Sequence, residues 1–495
     1  MGFQNAADGR KLVPLIVAAK PLPIQESRLH PVISAKDNKQ VHYFQSASVS
    51  DCSTACDAAW EAFAHGIEGN NPWKRAGVEQ RRTLLERVAN LLLEREEELI
   101  AAQQLETSSG LLWSRHNVRT TAKYVQEIAS AVSSIKGMIP PNDKPNTLAF
   151  IYKEAVGPVL IIPPWNAALN LCTRALAASI GAGCTAVLKA SELCPYTHSL
   201  ITDIFTTAGA PPGVINFICA ARDDAAEVTE HLIANAHIRK VDFIGSPGVG
   251  KIITATAAKY LKPVLLELGG KCPAIVLDDA DLEQAAEKCA KGALMHHGQI
   301  CFSTERIIVQ SKVSEPFTKA LVNAVKALEA QDFAGTAVSQ GIAEHALEVL
   351  QEAKTKGLQF IVGDAAYRSG HPNSLVPTIV AVDPATKPED LRIVDEETFG
   401  PSASLYIVDT DEEAIALANR SAYGLNAAIH TRDLERGMRL GRELEYGQVH
   451  LNWETVYVSS TGPQGGLKAS GWGRQNALWG LEEFLEEKSI TWHGK

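Results

Sequence analysis

From residue 156 onward, short β-rich runs alternate with helical stretches, and this alternation leaves few architectures open. The runs are 156–163 (VGPVLIIP), 185–189 (TAVLK), 214–218 (VINFI) and 241–245 (VDFIG). Helical stretches fill 168–181, 195–208 and 224–236. Strand and helix in regular succession predict a parallel sheet covered by helices on both faces. A second series has runs at 273–277, 306–310, 358–362, 402–408 and 425–430, with helical stretches at 281–297, 313–329, 411–420 and 433–444. Two α/β units in sequence predict two domains that meet near 264–272. Residues 81–105 repeat apolar positions at three- and four-residue spacing, as one amphipathic helix does. Segments 132–153 and 479–495 suit neither unit.

A chain of 495 residues with 45% apolar and 21% charged residues is long enough for two or three well-buried cores. Its net charge of -10 argues against nucleic acid or an anionic membrane as partner. No apolar stretch approaches the ~20 residues of a membrane span, and the first residues lack the apolar run of a signal peptide. The nine cysteines are odd in number and scattered, unlike a secreted disulfide scaffold. Cys52 and Cys56 form a C-x3-C pair without a second pair or clustered histidines to complete a metal site. Reduced thiols in the cytoplasm are expected, with no metal.

Two motifs carry chemistry. Cys301 ends Gly298-Gln299-Ile300-Cys301, and Glu267 opens Glu267-Leu268-Gly269-Gly270-Lys271. A partly ionised, exposed thiol attacks carbonyls, and a nearby carboxylate can activate the water that releases the product. Pro164-Trp165-Asn166 follows the first run, and the Asn166 amide is either an oxyanion donor or an ordinary turn residue. Gly245-Ser246-Pro247-Gly248-Val249-Gly250 joins a strand run to a helix. It is either a pyrophosphate cradle at a helix start or a plain turn, since it lacks the G-x-G-x-x-G pattern.

The order and spacing of these motifs resemble the aldehyde dehydrogenase superfamily, over roughly residues 20–490. The resemblance implies an α/β fold: a Rossmann-type NAD-binding domain (1–131 and 154–266), an α/β catalytic domain (267–455) and small bridging β segments for oligomerisation (132–153 and 479–495). It implies Cys301 as nucleophile, Glu267 as base and Asn166 as oxyanion donor. It places Trp165, Lys189, Glu192, Gly245, Ser246, Gly250, Leu268, Glu397 and Phe399 at the cofactor. Lys189 and Glu192, in Lys189-Ala190-Ser191-Glu192, would bind ribose hydroxyls. A carboxylate there favours NAD and leaves NADP open. Glu397, in Glu397-Thr398-Phe399-Gly400-Pro401, would bind the nicotinamide ribose. The implied partners are a small-molecule aldehyde and copies of the same chain, as homodimer or homotetramer.

Finer details look like the aromatic-aldehyde branch, with salicylaldehyde, vanillin and benzaldehyde dehydrogenases. They are Ser303-Thr304-Glu305-Arg306 after Cys301, Trp113, and Gly471-Trp472-Gly473-Arg474. In that branch a residue matching Arg174 lies near the substrate mouth; the alternative is a solvated surface arginine. Trp113, Met295, Phe302, Trp453 and Tyr457 are the candidate pocket walls. Cys172, Cys184, Cys219, Cys272 and Cys289 are expected to pack as small hydrophobes, with Cys172 alternatively near the substrate path. The chain departs from the family pattern at His296-His297, at Asn452-Trp453 and at Val458-Ser459-Ser460. Those departures leave a semialdehyde or aliphatic aldehyde open as substrate. A non-catalytic NAD-binding or structural protein on the same fold is the reading of another class.

Overall fold

The computed structural model describes residues 4–6 and 8–494. Five parallel strands lie side by side in the order Val264–Leu268, Lys240–Gly245, Val159–Ile162, Ala186–Ala190 and Ile215–Cys219. Nearly every residue in them is buried, as continuous Val, Ile and Leu runs between two helical layers require. Short antiparallel strands extend both edges: Gly471–Trp472 beside Val264–Leu268, and Ile16–Val17 beside Ile215–Cys219. The strand order reverses between Lys240–Gly245 and Val159–Ile162. At such a reversal the following loops part and leave a crevice at the carboxyl ends of the strands. The loops carrying Trp165-Asn166 and Gly245-Ser246 open there.

The second sheet runs Phe360–Val362, Thr378–Ala381, Ser402–Val408, Thr304–Gln310, Cys272–Val276, Asn426–His430, Gln448–Leu451. All neighbours are parallel except Phe360–Val362, an antiparallel edge. Separate apolar clusters fill the two faces of this sheet. The strands Thr147–Ala155 and Leu485–His493 form a two-stranded antiparallel ribbon apart from both sheets. Leu148, Tyr152, Ile490 and Trp492 on it are exposed.

Several expected boundaries move. The single helix over 81–105 is two helices, Val78–Glu94 and Glu96–Thr107, broken where Arg95 takes φ −102° and ψ 24°. The meeting region 264–272 contains a full strand, Val264–Leu268. The stretch 281–297 stops being an α-helix at Leu294. Within 479–495, residues up to Glu482 belong to the helix Ala477–Glu482, and only Leu485–His493 is strand. Among the described residues no helix is long and apolar enough to cross a membrane.

Candidate active site

Glu267 and Cys301 come from different sheets. Glu267 is in the strand Val264–Leu268 and pairs in register with Ile244 on one side and Gly471 on the other. Cys301 lies between the helix Leu282–Leu294 and the strand Thr304–Gln310. The chain reaches it through His296, His297 and Gly298, with φ of +50°, +61° and +70°. Each left-handed histidine costs about 1–2 kcal/mol. Only glycine fits at 298, where a Cβ would lie 2.0 Å from the Gly400 carbonyl oxygen. This turn brings Cys301 Sγ to 3.7 Å from Glu267 Oε1. Burial pushes the Cys301 thiol well above its ordinary range, and negative charge at Glu267 adds to it, as does that of Glu397 once ionised, while Arg174 opposes. The thiol is therefore neutral at rest and needs a proton acceptor, with the Glu267 carboxyl beside it. Of the nine cysteines only Cys301 is not fully buried. Cys172, at 0% exposure, packs in the core rather than lining a path.

Asn166 is held from two sides. Its Nδ2 donates to the Gln299 carbonyl oxygen at 2.9 Å, and Trp113 Nε1 donates to its backbone oxygen at 3.1 Å. One amide hydrogen thus fixes the loop ahead of Cys301, and the other remains for a ligand. Gln299, for which no role was expected, ties that loop to the segment ahead of the helix Gln340–Thr355: its Oε1 accepts from Val338 N at 2.8 Å.

Arg174 is neither a solvated arginine nor a free head at the mouth. Its Nη2 donates to Glu267 Oε2 at 2.6 Å, and both side chains are buried. The helix Ala168–Ala182 covers the sheet face from which Glu267 projects, so Arg174 points down onto that carboxylate.

Two cavities meet at the thiol. One, of about 330 Å³, is lined by Trp113, His116, Lys123, Phe302, Tyr457 and the Ser459-Ser460 segment, with Asn166, Arg174 and Cys301 at its floor. Trp113 is stacked between His116 and His296, with centroids 5.7 and 5.4 Å away. Met295 and Trp453 do not line this cavity. Met295 precedes the left-handed turn and is carried away from it. The Trp453 ring is captured by Lys288, whose Nζ sits 3.1 Å from its centroid. The other cavity, of about 290 Å³, is lined by Trp165, Gly245, Ser246, Glu267, Leu268, Glu397 and Phe399, again with Asn166 and Cys301.

Ser246 N-caps the helix Pro247–Lys259, its Oγ accepting from Val249 N at 3.4 Å. The missing Cβ at Gly250 makes room for Leu268, whose side chain it would meet at 2.7 Å. Gly250 therefore packs against a wall residue rather than lining the cavity itself. Lys189 is buried at the end of its strand. Glu192 lines a separate groove with Leu193, Ala221 and Arg222.

A buried network that the motifs did not reveal holds the loop bearing Glu397 and Phe399. Lys271 Nζ lies 2.5 Å from Glu305 Oε2 and 2.9 Å from Thr398 Oγ1. Glu305 also accepts from Thr398 N at 2.9 Å and Phe399 N at 3.2 Å. Glu397 in turn accepts from Gly270 N at 3.0 Å. Burial, and then the charge of Glu305, push the Glu397 carboxyl up to about 8. It is the neutral acid at pH 7.

The fold and this pair of cavities define an oxidoreductase that acts on aldehydes. The family model described as "Aldehyde dehydrogenase family" matches residues 24–490, and the chain belongs to that family. It is 37% identical over 486 residues to the vanillin dehydrogenase of Pseudomonas fluorescens, covering 97% of each chain. It is similar to the crystal structure of a salicylaldehyde dehydrogenase from Pseudomonas putida G7 complexed with salicylaldehyde. The TM-score is 0.91 with 34% identity, covering 98% of both chains. A betaine aldehyde dehydrogenase from Staphylococcus aureus in complex with NAD+ superposes with a TM-score of 0.91 at 28% identity, over 97% of this chain and 95% of that one.

Proposed function

We propose that this enzyme oxidises an aromatic or otherwise bulky hydrophobic aldehyde to the carboxylic acid, with NAD as acceptor and a thioester on Cys301 as intermediate. One observation carries the reading: the Cys301 thiol stands where an aromatic-walled cavity and a crevice-type cavity meet, 3.7 Å from a carboxylate. The crevice fits a dinucleotide. The first-turn amides of Pro247–Lys259 face an open strand-to-helix turn. The absence of a Cβ at Gly269, which would lie 2.3 Å from Glu397 Oε2, lets that carboxyl reach the cavity.

In this mechanism Glu267 Oε1 takes the Cys301 proton, and the thiolate attacks the aldehyde carbon. The free Asn166 Nδ2 hydrogen and the Cys301 N–H hold the oxyanion. NAD, when bound, supplies the hydride acceptor that turns this adduct into a thioester. Glu267, once it has shed the first proton, takes another from water. The resulting hydroxide adds to the thioester carbon, the C–S bond breaks, and the acid leaves. Trp113, Phe302 and Tyr457 seat a flat ring; Arg174 acts on Glu267 instead.

Lys123 at the mouth favours a second reading, an aldehyde with an anionic tail such as a semialdehyde. The reading includes a cytoplasmic location and assembly of copies through the exposed Thr147–Ala155/Leu485–His493 ribbon. NADH formation with benzaldehydes, hexanal and succinate semialdehyde separates the substrate readings. Preference for the semialdehyde overturns the first. Cys301→Ala is expected to abolish turnover while NAD still binds; retained turnover removes the thiol from the mechanism.

A further inference from the structure

A second carboxylate lies behind the base. Ile244 pairs with Glu267 and Asp242 with Leu265, so Asp242 and Glu267 project from the same face of the sheet, one diagonal step apart. The helix bearing Arg174 lies over this face. Asp242 is buried, at 1% exposure, and neither of its oxygens has a hydrogen-bond partner. Arg174 Nε has none either. A carboxyl buried without a partner is costly to keep.

The charges around Asp242 are few. Lys240, two residues back on the same strand, is committed to Glu483, at 2.5 Å to its carbonyl oxygen and 2.9 Å to its carboxylate. Arg174 is held by Glu267. On the far side of Arg174, the Tyr124 hydroxyl donates to Val458 O at 3.1 Å, and the Cys301 thiol faces Glu267. Burial pushes Asp242 up to about 7, with Arg174 and Lys240 opposing and the charges of Glu267 and Glu483 adding.

We propose that Asp242 is a positioning residue for the base: once ionised it draws the Arg174 guanidinium off Glu267 and frees that carboxylate to take a proton from water. A carboxylate paired to a guanidinium is a poor proton acceptor. Arg174 has five donors and can serve either neighbour. The proton lost by Asp242 passes to solvent, and no bond other than hydrogen bonds changes. This rests on Glu267 being the deacylation base.

The test is Asp242→Asn, a neutral side chain of the same shape, with Asp242→Leu as a second variant should the first fold poorly. NAD affinity is expected to hold, and aldehyde KM should fall together with kcat as the acyl-enzyme accumulates. The rise of kcat through neutral pH should vanish, leaving kcat about tenfold low at pH 8, about 1.4 kcal/mol on the barrier. Deacylation then limits turnover, so rapid mixing should show a burst of one NADH per site. A parental pH profile with no added burst overturns the role of Asp242. Turnover retained by Glu267→Gln would instead overturn the base assignment on which it rests.

Discussion

Replacing Lys271 by methionine should loosen the loop that bears Glu397 and Phe399. Lys271 and Glu305 are 1% and 2% exposed in their side chains and 2.5 Å apart. Without the ammonium, Glu305 keeps only the Thr398 and Phe399 amides as donors. Leaving one member of a buried pair alone costs about 3–5 kcal/mol. Lys271→Met is therefore expected to lower unfolding free energy by about 4 kcal/mol and to raise KM for NAD, since the slackened loop lines the cofactor cavity. Glu305→Gln should cost a similar amount. The double variant should cost about as much as either single one, a coupling of at least ~2 kcal/mol. Urea unfolding of the four proteins, with NAD titrations on each, decides it. Costs below ~1 kcal/mol, or costs that simply add, would refute the claim that this pair holds the loop.

Glu397, raised to about 8, is neutral below that pH and charged above it. The new charge opposes thiolate formation at Cys301, so kcat/KM should fall as pH rises past 8. Glu397→Gln, which cannot charge, should remove that fall in a pH–rate series. Trp113→Ala removes the ring stacked between His116 and His296. It should cut kcat/KM for benzaldehydes relative to hexanal about threefold to tenfold, matching ~0.5–1.5 kcal/mol of aromatic contact. Unchanged selectivity in paired assays would take Trp113 out of substrate recognition.

What the sequence made legible is what lies within one local motif. Strand runs such as VDFIG emerge because a strand buried on both faces must be apolar throughout. Cys301 and Asn166 emerge because each sits in a turn whose residues are constrained together, and Glu267 because it stands near the end of its strand, just ahead of Gly269-Gly270. VLLEL reads as easily as a joint as a strand, because a buried glutamate breaks the apolar run. Arg174 could not be placed, since its partner Glu267 is 93 residues away. The same holds for Lys271 with Glu305, 34 residues apart, and for the Trp453 ring under Lys288. Met295 follows the end of the helix Leu282–Leu294 and does not reach the pocket. The left-handed histidines after it have no sequence rule of their own.

The ribbon has a consequence for synthesis. Thr147 bonds His493, a partner made 346 residues later. The edge of the strand bearing Glu267 is likewise closed by Gly471–Trp472. A nascent chain emerging at about 5–20 residues per second thus leaves Thr147–Ala155, bridged only at Ile151 by Met138, without its partner strand for tens of seconds. Trigger-type chaperones should dwell there, and nascent chains stalled short of residue 471 should carry the thiol and the carboxylate yet stay inert. Catalytic competence arrives late and abruptly, when the last strands dock.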